Sequence, residues 1–148
     1  MSAHQSRVAW GTRLGHDRLA LLRWILGFSI VSTALHFTHN FVAIDQYPDD
    51  LVSGKVVQAA ILVSWPLFTG IALYAYRLYA RGDYRRAHPM LIAYGFFGLT
   101  TAGHFLDGVP DIAPFWFGTI FTDVLAGLAV LAFTVHSMRT VAPARRSA

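Results

Sequence analysis

Four apolar stretches dominate this chain: Leu19–Ile44, Val56–Ala80, Met90–Leu106 and Trp116–Met138. A helix needs about 20 mostly apolar residues to cross a bilayer. A chain inside hydrocarbon must satisfy its own backbone hydrogen bonds, so each stretch is expected to be a helix. The third is the most dilute, with Gly and Thr along it and His104 and Asp107 at its far end. The connections 45–55, 81–89 and 107–115 are short, which makes consecutive helices antiparallel neighbours. The expected fold is all-α: a polytopic membrane protein whose residues 19–138 form a four-transmembrane-helix, up-down-up-down bundle. A basic segment, 1–18, precedes the bundle, and a tail, 139–148, follows it.

Composition points the same way. Of 148 residues, 55% are hydrophobic and 14% charged, against about 25% charged in an ordinary soluble domain. Cysteine is absent, which excludes disulfides, thiolate metal sites and a cysteine nucleophile. Glutamate is absent too, which excludes the glutamate-based di-iron pattern of soluble bundles.

Eleven of the 12 basic residues fall on one side of the expected bundle. Arg7, Arg13, Arg18 and Arg23 come before or early in the first span, Arg77, Arg81, Arg85 and Arg86 flank the second connection, and Arg139, Arg145 and Arg146 follow the fourth span. Only Lys55 lies opposite. The excess of arginine on cytoplasmic loops places both termini and the middle connection in the cytoplasm of a multi-pass cell-membrane protein. The net charge of +4 then reflects anchoring beside anionic lipid headgroups, so the partner is the bilayer and no nucleic acid is expected. Ser32-Thr33-Ala34 loosely resembles a signal-cleavage site, but the apolar stretch runs on through Phe41, Val42 and Ala43. The first span is therefore expected to be retained. Val8, Trp10 and Leu14, set among arginines, suit an amphipathic turn on the inner interface.

Ser32-Thr33-Ala34-Leu35-His36-Phe37-Thr38-His39-Asn40 has a counterpart 68 residues on, Thr100-Thr101-Ala102-Gly103-His104-Phe105-Leu106-Asp107-Gly108. Thr, Ala, His and Phe recur in register, and both copies end an odd-numbered span. This pattern suggests two duplicated hairpins. First and third helices of such a bundle are diagonal, so His36 and His104 are expected to face each other across the axis.

Depth arithmetic gathers further polar groups into the same outer-leaflet layer. His36 and Asp123 each lie roughly 10 Å below the outer end of their spans, and His104 lies roughly 6–9 Å below. His39, Asn40 and Asp107 fall one layer outward, and Gln58 descends from the second span. An aspartate deep in a span costs about 2.5–3.5 kcal/mol unless paired. Asp123, among Phe121, Thr122, Val124 and Leu125, thus needs a cation, a protonated histidine or its own proton. The bland alternative is that it pairs with a histidine and only joins helices. His88 and His136, near the inner edge, read as ordinary interface residues. Pro66, after Trp65, is expected to kink the second span.

A histidine and carboxylate set suits zinc, iron or manganese. The expected ligands are His36, His39, His104, Asp107 and Asp123, with Asn40 or Asp107 also suited to orienting a histidine. A b-type haem held by His36 and His104 is the alternative cofactor. A metal-free site would instead transfer protons on a lipid-like small-molecule substrate, isomerase fashion, with Asp123 and His104 as the catalytic pair. A proton-coupled carrier would titrate the same two groups, and so small a chain would then act as a homo-oligomer. No phosphate-binding loop, nucleophile elbow or His-Glu-x-x-His motif is present.

Overall fold

A computed structural model describes residues 3–46, 53–106 and 108–141, with side chains from residue 15 onward. It is all-helical. The long helices are α1 (Ala3–Val42), α2 (Gly54–Ala80), α3 (Tyr84–Leu99) and α4 (Pro114–Val141). Short 3-10 helices cover Ile44–Gln46 and Thr100–Phe105. α1 packs on α2 and α4, α3 packs on the same two, and α1 and α3 lie diagonally opposite.

Three helical segments are long and apolar enough to cross a membrane: Gly15–Val42, Gly54–Ala80 and Pro114–Val141. α3 differs from the expected third span. Its α-helical part has 16 residues, and at Thr100 the backbone tightens into a 3-10 helix of six residues. Side chains explain the change, because Thr100 and Thr101 hydroxyls donate to the carbonyls of Phe97 and Gly98, three residues back. Such bonds compete with the ordinary helical ladder. The two copies of the repeat consequently differ in backbone, α-helical at Ser32–Asn40 and 3-10 at Thr100–Phe105. The backbone thus gives the duplication no support.

Other local features follow from residue type. α1 starts at Ala3, so the basic N-terminal segment continues the first helix instead of forming a separate turn. α2 runs through Pro66 as one helix. Gly82, at φ 76°, makes the turn between α2 and α3, which a residue with a side chain enters poorly. Asp83 then caps α3 by accepting from the Arg86 amide. Pro114 opens α4, where its missing N–H costs nothing.

The interior has two halves. Towards the α2–α3 turn apolar residues dominate, with Leu22, Leu26, Ala75, Leu91 and Val130 all buried around a smaller polar group that includes His88 and Ser137. Towards the other end the buried residues are polar: Ser32, His36, Asn40, Thr119 and Asp123. Large apolar side chains such as Trp24, Phe28, Val63, Leu67, Phe96 and Leu125 point outward instead. α3 and α4 are in backbone contact at glycines. A Cβ on Gly127 would lie 2.7 Å from the Gly95 carbonyl oxygen, and one on Gly98 would lie 3.1 Å from the Gly127 Cα. Gly98 of this seam lies two residues before the 3-10 segment that carries His104.

Candidate functional site

His36 and His104 meet in the polar half. Their Nε2 atoms are 3.2 Å apart, with rings edge-on at 65°. The Asn40 amide nitrogen lies between them, 3.1 Å from His36 Nε2 and 3.0 Å from His104 Nε2. Three polar atoms from α1 and the 3-10 segment thus form a near-equilateral triangle. His36 is fully buried and Asn40 is 4% exposed.

Thr119, which depth arithmetic alone does not single out, sets the chemistry of this triangle. Its hydroxyl donates to the Trp116 carbonyl at 2.6 Å, so its oxygen is left to accept from His36 Nδ1 at 3.1 Å. His36 therefore carries its proton on Nδ1 and turns the Nε2 lone pair towards His104. A metal-ligating imidazole takes the same form, with the remote nitrogen held by a hydrogen-bond acceptor.

Asp123 lies one helical turn deeper than Thr119. Ser32 Oγ donates to its Oδ1 at 2.5 Å, and the Thr122 hydroxyl is 2.7 Å from Ser32 Oγ. The antiparallel contact of α1 with α4 explains the layering. Four residues down α1 from His36 is Ser32, and four residues along α4 from Thr119 is Asp123. Asp123 is 1% exposed, and among the described residues its Oδ2 accepts no hydrogen bond. Below it, the Ser29 hydroxyl is 3.0 Å from the Tyr94 hydroxyl, where the polar layer ends.

Of the other expected ligands, Asp123 lies in the layer of Ser32. The His39 ring stacks on Trp116, centroids 4.6 Å apart. Asp107 lies outside the described residues. Among the described residues, no three His, Cys, Asp or Glu side chains come together in a metal-holding group. Gln58 caps the end of α1 by donating to the Phe41 carbonyl at 2.7 Å.

A second buried polar group occupies the opposite end. Ser137 Oγ is 2.8 Å from the Tyr79 hydroxyl and 3.0 Å from His88 Nε2, and Tyr84 stacks on the His88 ring. His88 is thus buried and bonded within the bundle. The only sequence signal for it was a serine on α4 at matching depth.

The chain matches no known protein-family model, no curated protein and no solved structure. What it does must therefore be argued from its own geometry.

Proposed function

We propose that the chain is an integral membrane protein of four spans, with both termini cytoplasmic, that binds a transition-metal ion through His36 and His104 in its outer half. The observation that carries this reading is the 3.2 Å separation of the two Nε2 atoms. Two imidazoles on one tetrahedral ion at 2.0–2.1 Å bring their nitrogens to about 3.3 Å. The His36 tautomer fixed by Thr119 adds support, because it leaves the lone pair on the inward nitrogen. Asn40 suits a third position: turning its amide over would bring Oδ1 to the triangle, and Oδ1 is buried without a hydrogen bond among the described residues.

A set of nitrogen and amide-oxygen donors without thiolate suits zinc, iron or manganese. The fit to haem is poorer, since the ring would have to pass between two imidazoles that Asn40 already bridges. A carrier has least support. Leu22, Leu26, Leu91 and Val130 fill the inner half of the bundle, and the buried polar groups described there, Ser137 with Tyr79 and His88, and Thr134 with the Val130 carbonyl, are bonded within the protein. The runner-up is a metal-free site in which His104 donates to His36 Nε2 and Asp123 serves as proton acceptor for a lipid-like substrate. The unbonded Asp123 Oδ2 favours it.

Elemental analysis of the detergent-purified protein, prepared without chelator, separates these readings. Stoichiometric zinc, iron or manganese that is lost in His36→Ala/His104→Ala is the expected result. Folded, metal-free wild type overturns it in favour of the proton-transfer site.

A further inference from the structure

We propose that Asp123, with the hydroxyls of Ser32, Thr33 and Thr122, forms a binding site for a sodium ion. The site is separate from the histidine pair and shares no ligand with it, so it stands whether or not a transition metal binds there.

Every hydroxyl proton around the carboxyl is already committed. Ser32 gives its proton to Asp123 Oδ1 at 2.5 Å. Thr33, which also stands beside the carboxyl, gives its own to the Ser29 carbonyl at 2.7 Å. Thr122 gives its proton either to the Thr119 carbonyl, 3.0 Å away, or to Ser32 Oγ, 2.7 Å away. None is left for Asp123 Oδ2, which is buried and accepts no hydrogen bond among the described residues. What the three hydroxyls still have to offer is lone pairs. Four side chains that can only accept thus share one layer, and the partner they lack is positive.

The protein supplies no such partner. Ser32, Thr33 and Asp123 are 6%, 7% and 1% exposed, and a carboxylate buried without a counter-charge is costly. No lysine or arginine occurs in 24–54, 56–76 or 87–138. His36 directs one ring nitrogen to Thr119 and the other to Asn40 and His104. An added proton on the carboxyl would engage one of the surrounding oxygens, whereas a bound cation engages several at once.

Charge and size choose the ion. One carboxylate balances one positive charge. Calcium takes about six to eight oxygens, and magnesium keeps several of its waters, so a buried layer with a single carboxylate suits neither. Among monovalent ions, oxygens packed 2.5 and 2.7 Å apart fit sodium better than the larger potassium. Dehydrated sodium is also smaller than a water molecule, so a space that excludes water can still hold it. A groove of about 440 Å³ between α1 and α4 runs from Pro114, the first residue of α4, to Ser32 and Thr122, and gives an ion a way in from that end.

Thermal unfolding of the detergent-purified protein tests this in sodium, potassium or choline chloride at equal ionic strength, with bound radioactive sodium counted on the same samples. Sodium should raise the unfolding midpoint saturably, by about 3–6 °C at ten times its dissociation constant, with one ion bound per chain. Potassium and choline should not. Asp123→Asn should lose both the shift and the bound ion. Thr33→Val keeps the shape and removes one ligand oxygen, so it should bind sodium at least about tenfold more weakly. It also serves as the test if Asp123→Asn fails to fold. Identical wild-type midpoints in sodium and choline, with no bound sodium, would overturn the proposal and leave the carboxyl holding its own proton. So would an equal shift from potassium, or a sodium response undiminished in Asp123→Asn or Thr33→Val. A response lost only in His36→Ala/His104→Ala would move the ion to the histidines and overturn it too.

Discussion

The Thr119 hydroxyl, by giving its proton to the Trp116 carbonyl, makes its oxygen an acceptor for His36 Nδ1 and so determines which His36 nitrogen faces the bundle axis. The relationship turns on one hydrogen atom and yields a direct test. Thr119→Val keeps the shape and removes the acceptor. Loss of such an outer partner typically weakens metal binding by about 10–100-fold. Competition with a chelator should show a drop of that size, and Thr119→Ser should restore most of it. Unchanged affinity in Thr119→Val would mean that His36 needs no fixed tautomer.

Asp123 separates a ligand from a neighbour. Asp123→Asn keeps an acceptor for Ser32 but places an amide donor where Oδ2 has no partner among the described residues. A buried unpaired donor costs about 1–3 kcal/mol, offset by removal of the unpaired carboxyl oxygen, so thermal unfolding in sodium-free buffer should move little while metal content stays at the wild-type level. Metal loss in this variant would put Asp123 among the ligands.

The glycine seam between α3 and α4 should tolerate nothing larger. In Gly127→Ala the new Cβ must push against the Gly95 carbonyl oxygen, 2.7 Å away. Overpacking of this kind typically costs about 1–3 kcal/mol. Because the seam adjoins the 3-10 segment that carries His104, the variant should lose metal affinity along with stability. Gly27→Ala, where a Cβ meets nothing within 4 Å, is the control and should not.

At the inner end, Ser137→Ala would leave both Tyr79 and His88 without the oxygen they share. Tyr79→Phe removes only one of the two bonds. Stability in detergent should fall by about 1–3 kcal/mol for the first and by less for the second. The double variant should be less destabilised than the sum, as expected for residues in one network. Additive losses would show the two bonds to be independent.

Orientation can be read chemically because the chain has no cysteine of its own. Single cysteines at the exposed positions Arg85, in the first turn of α3, and Asp111, in the connection before α4, lie at opposite ends of the bundle. In intact cells a membrane-impermeant maleimide should label Asp111→Cys and leave Arg85→Cys unlabelled. The reverse pattern would invert the topology.

The helices were legible from apolar run length, and the His36–His104 pair from two identical residues in matching register. Azimuth and fine depth were not. The sequence expectation started the fourth helix at Trp116, whereas α4 begins at Pro114. Counted from there, Asp123 lies about 3 Å further from the helix end, level with Ser32 and not with His36. His39 shares a helix face with His36 by spacing, yet it stacks on Trp116, an aromatic that spacing alone assigned to the membrane boundary. The 3-10 segment was illegible for another reason. Its cause is two threonine hydroxyls bonding back to the main chain, a competition that hydropathy does not register.

The apolar plug of Leu22, Leu26, Leu91 and Val130 bears on where anything bound at the histidines originates. On the proposed topology these residues stand on the cytoplasmic side of His36, so an ion or a substrate would reach it from the far side of the membrane or sideways out of the lipid. The cell's internal metal-delivery machinery would then have no access to the folded protein. Loading would happen either before the bundle closes or from the medium beyond it, and the proposed site's occupancy would then follow the exterior and not the cytosol.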